Sequence, residues 1–104
     1  MYELITPDHF QSKVVEAKKP VFLELHREDS YVSNKLQPVL SELKAIHEDK
    51  VEYLQMDASQ CGWLLDVLKA KVLPSLVLFE KGNPVQCLYG SASAKMITER
   101  FRLL

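Results

Sequence analysis

Two cysteines in 104 residues rule out a disulfide-stapled scaffold, and nothing about them resembles a metal site. Cys61 and Cys87 do not have a metal-ligand spacing, and no histidine lies at ligand distance in sequence from either. The formal net charge is only −1, so no electrostatic pull toward nucleic acid or an anionic membrane is expected. No apolar run approaches the roughly 20 residues that a membrane-spanning helix needs. Met1-Tyr2-Glu3-Leu4 lacks the basic-then-apolar order of a secretory leader, and a cytoplasmic location is the expectation. Repeats, linkers and low-complexity tracts are also missing, so residues 1–104 are expected to form a single domain. With 47% hydrophobic and 26% charged residues, the composition is that of a soluble globular protein able to bury a core without cross-links.

The chain is organised around residues 20–40. Pro20-Val21-Phe22-Leu23-Glu24 opens a short apolar strand extending to His26, and only Glu24 interrupts it within its first residues. Apolar residues on both sides of a strand predict cover on both faces. Beyond it, Leu36, Val39, Leu40, Leu43 and Ile46 follow the spacing of one buried helical face, which predicts a helix from about Ser30 to His47. Pro38 removes one hydrogen bond inside that helix and should bend it. Ser30-Tyr31-Val32-Ser33 sits where the strand gives way to the helix N-terminus. Unpaired backbone N–H groups and the helix dipole favour negative charge at such a point.

The remaining segments alternate regularly. Tyr2 to Ile5 reads as an edge strand, and Thr6-Pro7-Asp8 as a helix start, with Phe10, Val14 and Val15 on its apolar side. Val51 to Met56 is a strand, and Trp63, Leu64, Val67 and Leu68 belong to a third helix. Leu76 to Phe79 and Val85 to Tyr89 pair as a hairpin through Lys81-Gly82-Asn83-Pro84. A last helix carries Ile97, Phe101 and Leu104 inward. This order predicts a mixed central sheet of four to five strands with helices on both faces, in all four α-helices.

Pro20 through Leu40 resembles the active-site segment of the thioredoxin family. Pro20, Val21, the in-strand carboxylate Glu24, and Pro38 five residues past Ser33 all match. Val72-Leu73-Pro74-Ser75 before Leu76-Val77-Leu78-Phe79 resembles that family's cis-proline loop and following strand, and Glu80-Lys81-Gly82-Asn83 and Gly90 also fall in place. The segment departs at His26 and Asp29, where aromatics are usual, and at Tyr31-Val32, where Gly-Pro is usual. It departs most at Ser30 and Ser33, which occupy the two cysteine positions. The resemblance implies a thioredoxin-like α/β fold and a parent activity of thiol–disulfide exchange with protein or peptide substrates, served by a reductase. It implies no organic cofactor and no metal, and a monomer is expected.

Chemistry limits what the serines can do. Cysteines at 30 and 33 would lie about 5 Å apart at Cα, within disulfide range. The first would attack as a thiolate favoured by the helix N-terminus, and the second would resolve the mixed disulfide. A serine hydroxyl is scarcely ionised near neutral pH and has no accessible two-electron couple. As written, the chain is therefore expected to be inactive as a dithiol oxidoreductase. Two accounts stay open. Either the serines were introduced into a Cys-Tyr-Val-Cys parent, or a natural relative has lost its dithiol and keeps the groove for binding. Helix N-capping by Ser30 fits both.

By the same resemblance, Ser30, Ser33 and Glu24 are the candidate catalytic positions, Glu24 being suited to pass a proton to and from the resolving sulfur. Leu73 and Pro74, with Tyr31 and His26, are the candidate substrate-binding positions, where an extended peptide would cross the site. Cys87, alternating within a strand, reads as a small apolar filler. Cys61, at a helix start, is a candidate for a modestly acidic, exposed thiol, and the two are expected to be reduced and far apart. A nucleophilic Ser30–His26 pair lacks any readable third member or oxyanion arrangement.

Overall fold

The computed structural model describes residues 3–26, 31–47, 50–68, 75–89, 96–97 and 99. Five strands form one mixed sheet: β1 (Glu3–Ile5), β2 (Val21–His26), β3 (Glu52–Asp57), β4 (Ser75–Glu80) and β5 (Asn83–Tyr89), in the spatial order β1-β3-β2-β4-β5. β3 runs parallel to both β1 and β2, whereas β4 is antiparallel to β2 and β5. β2 is thus the central strand, and all six of its residues are buried. That matches its nearly continuous apolar sequence, since a strand covered on both faces has no solvent side to make polar.

Alternation along β2 divides the core. Leu23 and Leu25 pack with Val14, Met56, Leu64 and Phe79 on one face. Phe22 packs with Tyr53, Leu76, Leu78, Leu40 and Leu43 on the other. The second face is covered by α1 (Tyr31–His47), which contains Pro38, and by Ile97, which is fully buried there. Each buried leucine of this kind contributes about 1.5–3 kcal/mol relative to exposure.

The first face is covered by α2 (Gly62–Leu68) and by the segment after β1. That segment is helical as expected, but it is not an α-helix. Pro7–His9 form a 3₁₀ turn and Gln11–Val15 a π-turn closed by the Glu16 N–H on the Gln11 carbonyl at 2.9 Å. Its Phe10 ring stands edge-on to Phe79 and to Trp63 of α2, with centroids 5.8 and 5.2 Å apart.

The β4–β5 hairpin turns through Lys81 and Gly82, both at positive φ (53° and 80°). Glu80 and Asn83 close the two-residue loop. Left-handed geometry at both loop residues matches the twist of the paired strands, and glycine adopts it without a Cβ penalty. A bulge between Leu78 and Phe79 lets Val85 stand out of register beside Pro84, which lacks the N–H that a central strand would need and here sits in an edge strand.

Candidate functional site

The site lies at the C-terminal end of β2, under the first turns of α1. Residues 22, 24 and 26 share a strand face, so Phe22, Glu24 and His26 all point toward α1. Phe22 is core, but Glu24 and His26 are not apolar, and both are buried: Glu24 is 0% exposed and His26 9%. A buried carboxyl group needs partners, and α1 supplies one. Gln37 Nε2 donates to Glu24 Oε1 at 2.7 Å and lies 3.3 Å from His26 Nδ1. His26 Nδ1 in turn is 3.4 Å from Glu24 Oε2. Glu24, His26 and Gln37 therefore form one polar cluster within an otherwise apolar layer.

On the neighbouring strand, His26 is in register with Asp57. The Asp57 carboxyl accepts from the Ser59 backbone N–H at 2.9 Å and from the Ser59 hydroxyl at 2.8 Å. Those two bonds, with a smaller contribution from the charge of His26, hold its carboxyl below the ordinary carboxylate range. An anionic Asp57 thus flanks the imidazole on the side away from β4.

Of the candidates read from the sequence, Glu24 and His26 are brought together, with the imidazole tucked against the carboxyl group. Ser33 lies one turn before Gln37 on α1, so positions 33 and 37 share a helical stripe. Tyr31 opens the described part of that helix. Ser30, Leu73 and Pro74, and the side chains of Tyr31 and Ser33, lie outside the described residues, as does the expected cis peptide at Pro74.

Gln37 went unnoticed in the sequence. A signal was available: a polar residue between Leu36 and Leu40 on the inward stripe, one turn beyond Ser33, faces the same strand that carries Glu24.

The two thiols are free, and the burial of Cys61 corrects one reading of them. Cys61 does precede α2, whose Leu64 and Leu65 amides bond to its carbonyl, but its side chain is 0% exposed. The sulfur rests 3.4 Å from the Asp57 carbonyl and 3.7 Å from that of Ala58. Burial, helped by the negative charge of Asp57, pushes this thiol up to about 11, the reverse of an acidic helix-start cysteine. The two cysteines share one layer of the core. Both pack into the layer beneath α2, Cys87 at its half-buried margin. That layer is the one away from α1.

Among the described residues, no group of three or more His, Cys, Asp and Glu side chains is placed to hold a metal ion. No described helix is long and apolar enough to cross a membrane.

Comparison with known proteins agrees with this architecture. The thioredoxin family description matches residues 2–102. The chain is 25% identical over 95 residues to thioredoxin Y1, chloroplastic, of Arabidopsis thaliana, covering 91% of this chain and 55% of that protein, so it spans about half the length of the plant relative. It is 26% identical over 87 residues to thioredoxin C-2 of Corynebacterium nephridii, covering 84% and 81%. It is 29% identical over 82 residues to a thioredoxin of Peptoclostridium acidaminophilum, covering 79% and 74%. With the mixed sheet, the proline-bearing α1 and a match along nearly its whole length, the chain belongs to the thioredoxin family, whose kind of chemistry is thiol–disulfide exchange on protein substrates.

Proposed function

We propose that this is a thioredoxin whose parent activity, exchange with protein disulfides, is silenced by serine at positions 30 and 33. The scaffold that would bind an extended, thiol- or disulfide-bearing segment is kept. The observation that carries this reading is where the remaining thiols lie. With both family positions occupied by hydroxyls, only Cys61 and Cys87 could take over. Both sit in the layer opposite α1, and Cys61 is buried with its thiol held protonated. No thiolate is therefore available at the α1 end, where Glu24 waits. Protein or peptide segments are the partners, with a reductase for the parent activity; the protein is a cytoplasmic monomer, and nucleic acid and membranes are not partners.

The test is insulin reduction followed by turbidity with dithiothreitol as electron source. The chain as it stands should not accelerate the reaction above dithiothreitol alone, and S30C/S33C should. The helix N-terminus should make the thiol at position 30 the more acidic and the faster to alkylate. Turnover by the unaltered chain would overturn the proposal.

A second reading, a naturally redox-inert peptide-binding module, is favoured by one feature of the site. Glu24 is already held by Gln37 and His26, so the buried acid is accommodated without any sulfur beside it. An S30C/S33C protein that forms its disulfide but exchanges it with no protein substrate would establish this second reading. Serine codons at both positions in the source genome would favour it too.

A further inference from the structure

We infer that Gln37 is a positioning residue for Glu24, its side-chain amide fixing the buried carboxyl group from α1; this rests on the exchange reading given above. In that reading, a resolving thiol at position 33 gives its proton to Glu24. Its sulfur bonds the sulfur at position 30, and the substrate's sulfur leaves as the thiolate. The step uses Glu24 as proton acceptor, and the reverse step uses it as donor. A carboxyl group in that role has to face one direction, because an error of about 1 Å in placement can cost about 100-fold in rate.

The geometry of the bond supports this role. Glu24 is fully buried on the central strand, and Gln37, thirteen residues on, is half-buried on α1. Gln37 Nε2 donates to Glu24 Oε1 at 2.7 Å, the shorter of the two contacts the carboxyl group makes within the cluster. A primary amide has two hydrogens, and the same nitrogen lies 3.3 Å from His26 Nδ1. One amide thus restrains the acid and the imidazole together. Neither contact calls for a proton on the carboxyl group or on Nδ1.

Glutamine also suits a partner that must gain and lose a proton. Its amide is neutral and does not titrate. An N–H can bond Oε1 of the ionised carboxylate, and it can also bond Oε1 as the carbonyl oxygen when the proton is on Oε2. A cation in its place would favour the charged carboxylate and resist the transfer. The residues in register with Glu24, Gln55 on β3 and Leu76 on β4, are uncharged too. The bond from α1 therefore orients the acid without trapping it in one protonation state.

Two measurements test the inference. In the unaltered, ¹⁵N-labelled chain, one Gln37 side-chain N–H should resonate downfield of ordinary side-chain amides and exchange slowly with water, and Glu24→Leu should remove that signature. Its absence from the unaltered chain would overturn the inference. In S30C/S33C, adding Gln37→Met should slow the resolving step about tenfold, less than loss of the carboxyl group itself, and leave attack by the thiol at position 30 unchanged. With Glu24→Gln already present, the same change should slow resolution by no more than about twofold further, because residues that act through one another are not additive. An unchanged rate, equal slowing in both backgrounds, or an equal effect on the first attack would overturn the positioning role while leaving the exchange reading intact. An S30C/S33C protein with no exchange at all would overturn both, and the amide signal would still report whether Gln37 holds Glu24.

Discussion

Gly82→Ala should destabilise this protein severely, whereas Gly62→Ala should not. Gly82 sits at φ 80° in the β4–β5 turn, where an L-residue pays about 1–2 kcal/mol. An added Cβ would also lie 2.9 Å from the Val15 carbonyl oxygen and 3.1 Å from its Cγ1. The oxygen belongs to the backbone at the end of the first helical segment, so relief requires the hairpin tip and that segment to separate. Overpacking of this kind adds about 1–3 kcal/mol, for a total of about 2–5 kcal/mol. Gly62 is the opposite case. It opens α2 with nothing within 4 Å of an added Cβ, and alanine there should be neutral or stabilising by about 0.4–1 kcal/mol. Urea denaturation followed by circular dichroism gives both values. In a domain of this size each kcal/mol moves Tm by about 4–5 °C, so a loss of about 2–5 kcal/mol lowers it by about 8–25 °C. A Gly82→Ala protein within about 0.5 kcal/mol of the parent would refute the close approach of turn and helical segment.

Other expectations follow from the same contacts. Ellman's reagent at pH 8 should modify half-buried Cys87 well before Cys61, and equal rates would contradict the burial of Cys61. The folded state holds the Cys61 thiol up at about 11 against an ordinary value of 9.0. Its stabilising contribution is therefore complete below about pH 9 and is lost as pH rises toward 11, by about 2–3 kcal/mol; Cys61→Ala should flatten that alkaline decline in a urea series. Leu23→Ala, at a fully buried position of the central strand, should cost about 2–5 kcal/mol in urea, and a loss under 1 kcal/mol would contradict its placement. Phe10→Leu should cost about 1–2 kcal/mol by removing two edge-to-face contacts. The same change should alter the emission of Trp63, the one tryptophan. In S30C/S33C, Glu24→Gln should slow the resolving step about 100-fold with an unchanged circular dichroism spectrum.

Much of the scaffold was legible because burial imposes a period on the sequence. The apolar run of β2, the alternation in β4 and the i, i+3, i+4 stripe of α1 each encode which surface is covered. Glu24 stood out for the same reason, as a charge inside an apolar strand. The segment after β1 was less legible, because Phe10 and Val14 on one side fit an α-turn or a π-turn equally well over so few residues. Cys61 was misjudged on local grounds: its position before a helix implied exposure, but after the Ala58–Gln60 turn it packs into the core layer with Leu64.

The sequence by itself determined the strand and helix order, the thioredoxin-like scaffold and the absence of thiols at positions 30 and 33, because each depends on residue type and local spacing. A serine cannot become a thiolate in any fold. Only the tertiary structure decided who accompanies Glu24. His26 is two residues away on its own strand, but Gln37 is thirteen residues on, and their meeting depends on α1 crossing the sheet at one particular offset. Contacts across packed layers are set by that offset, which no periodicity along the chain records.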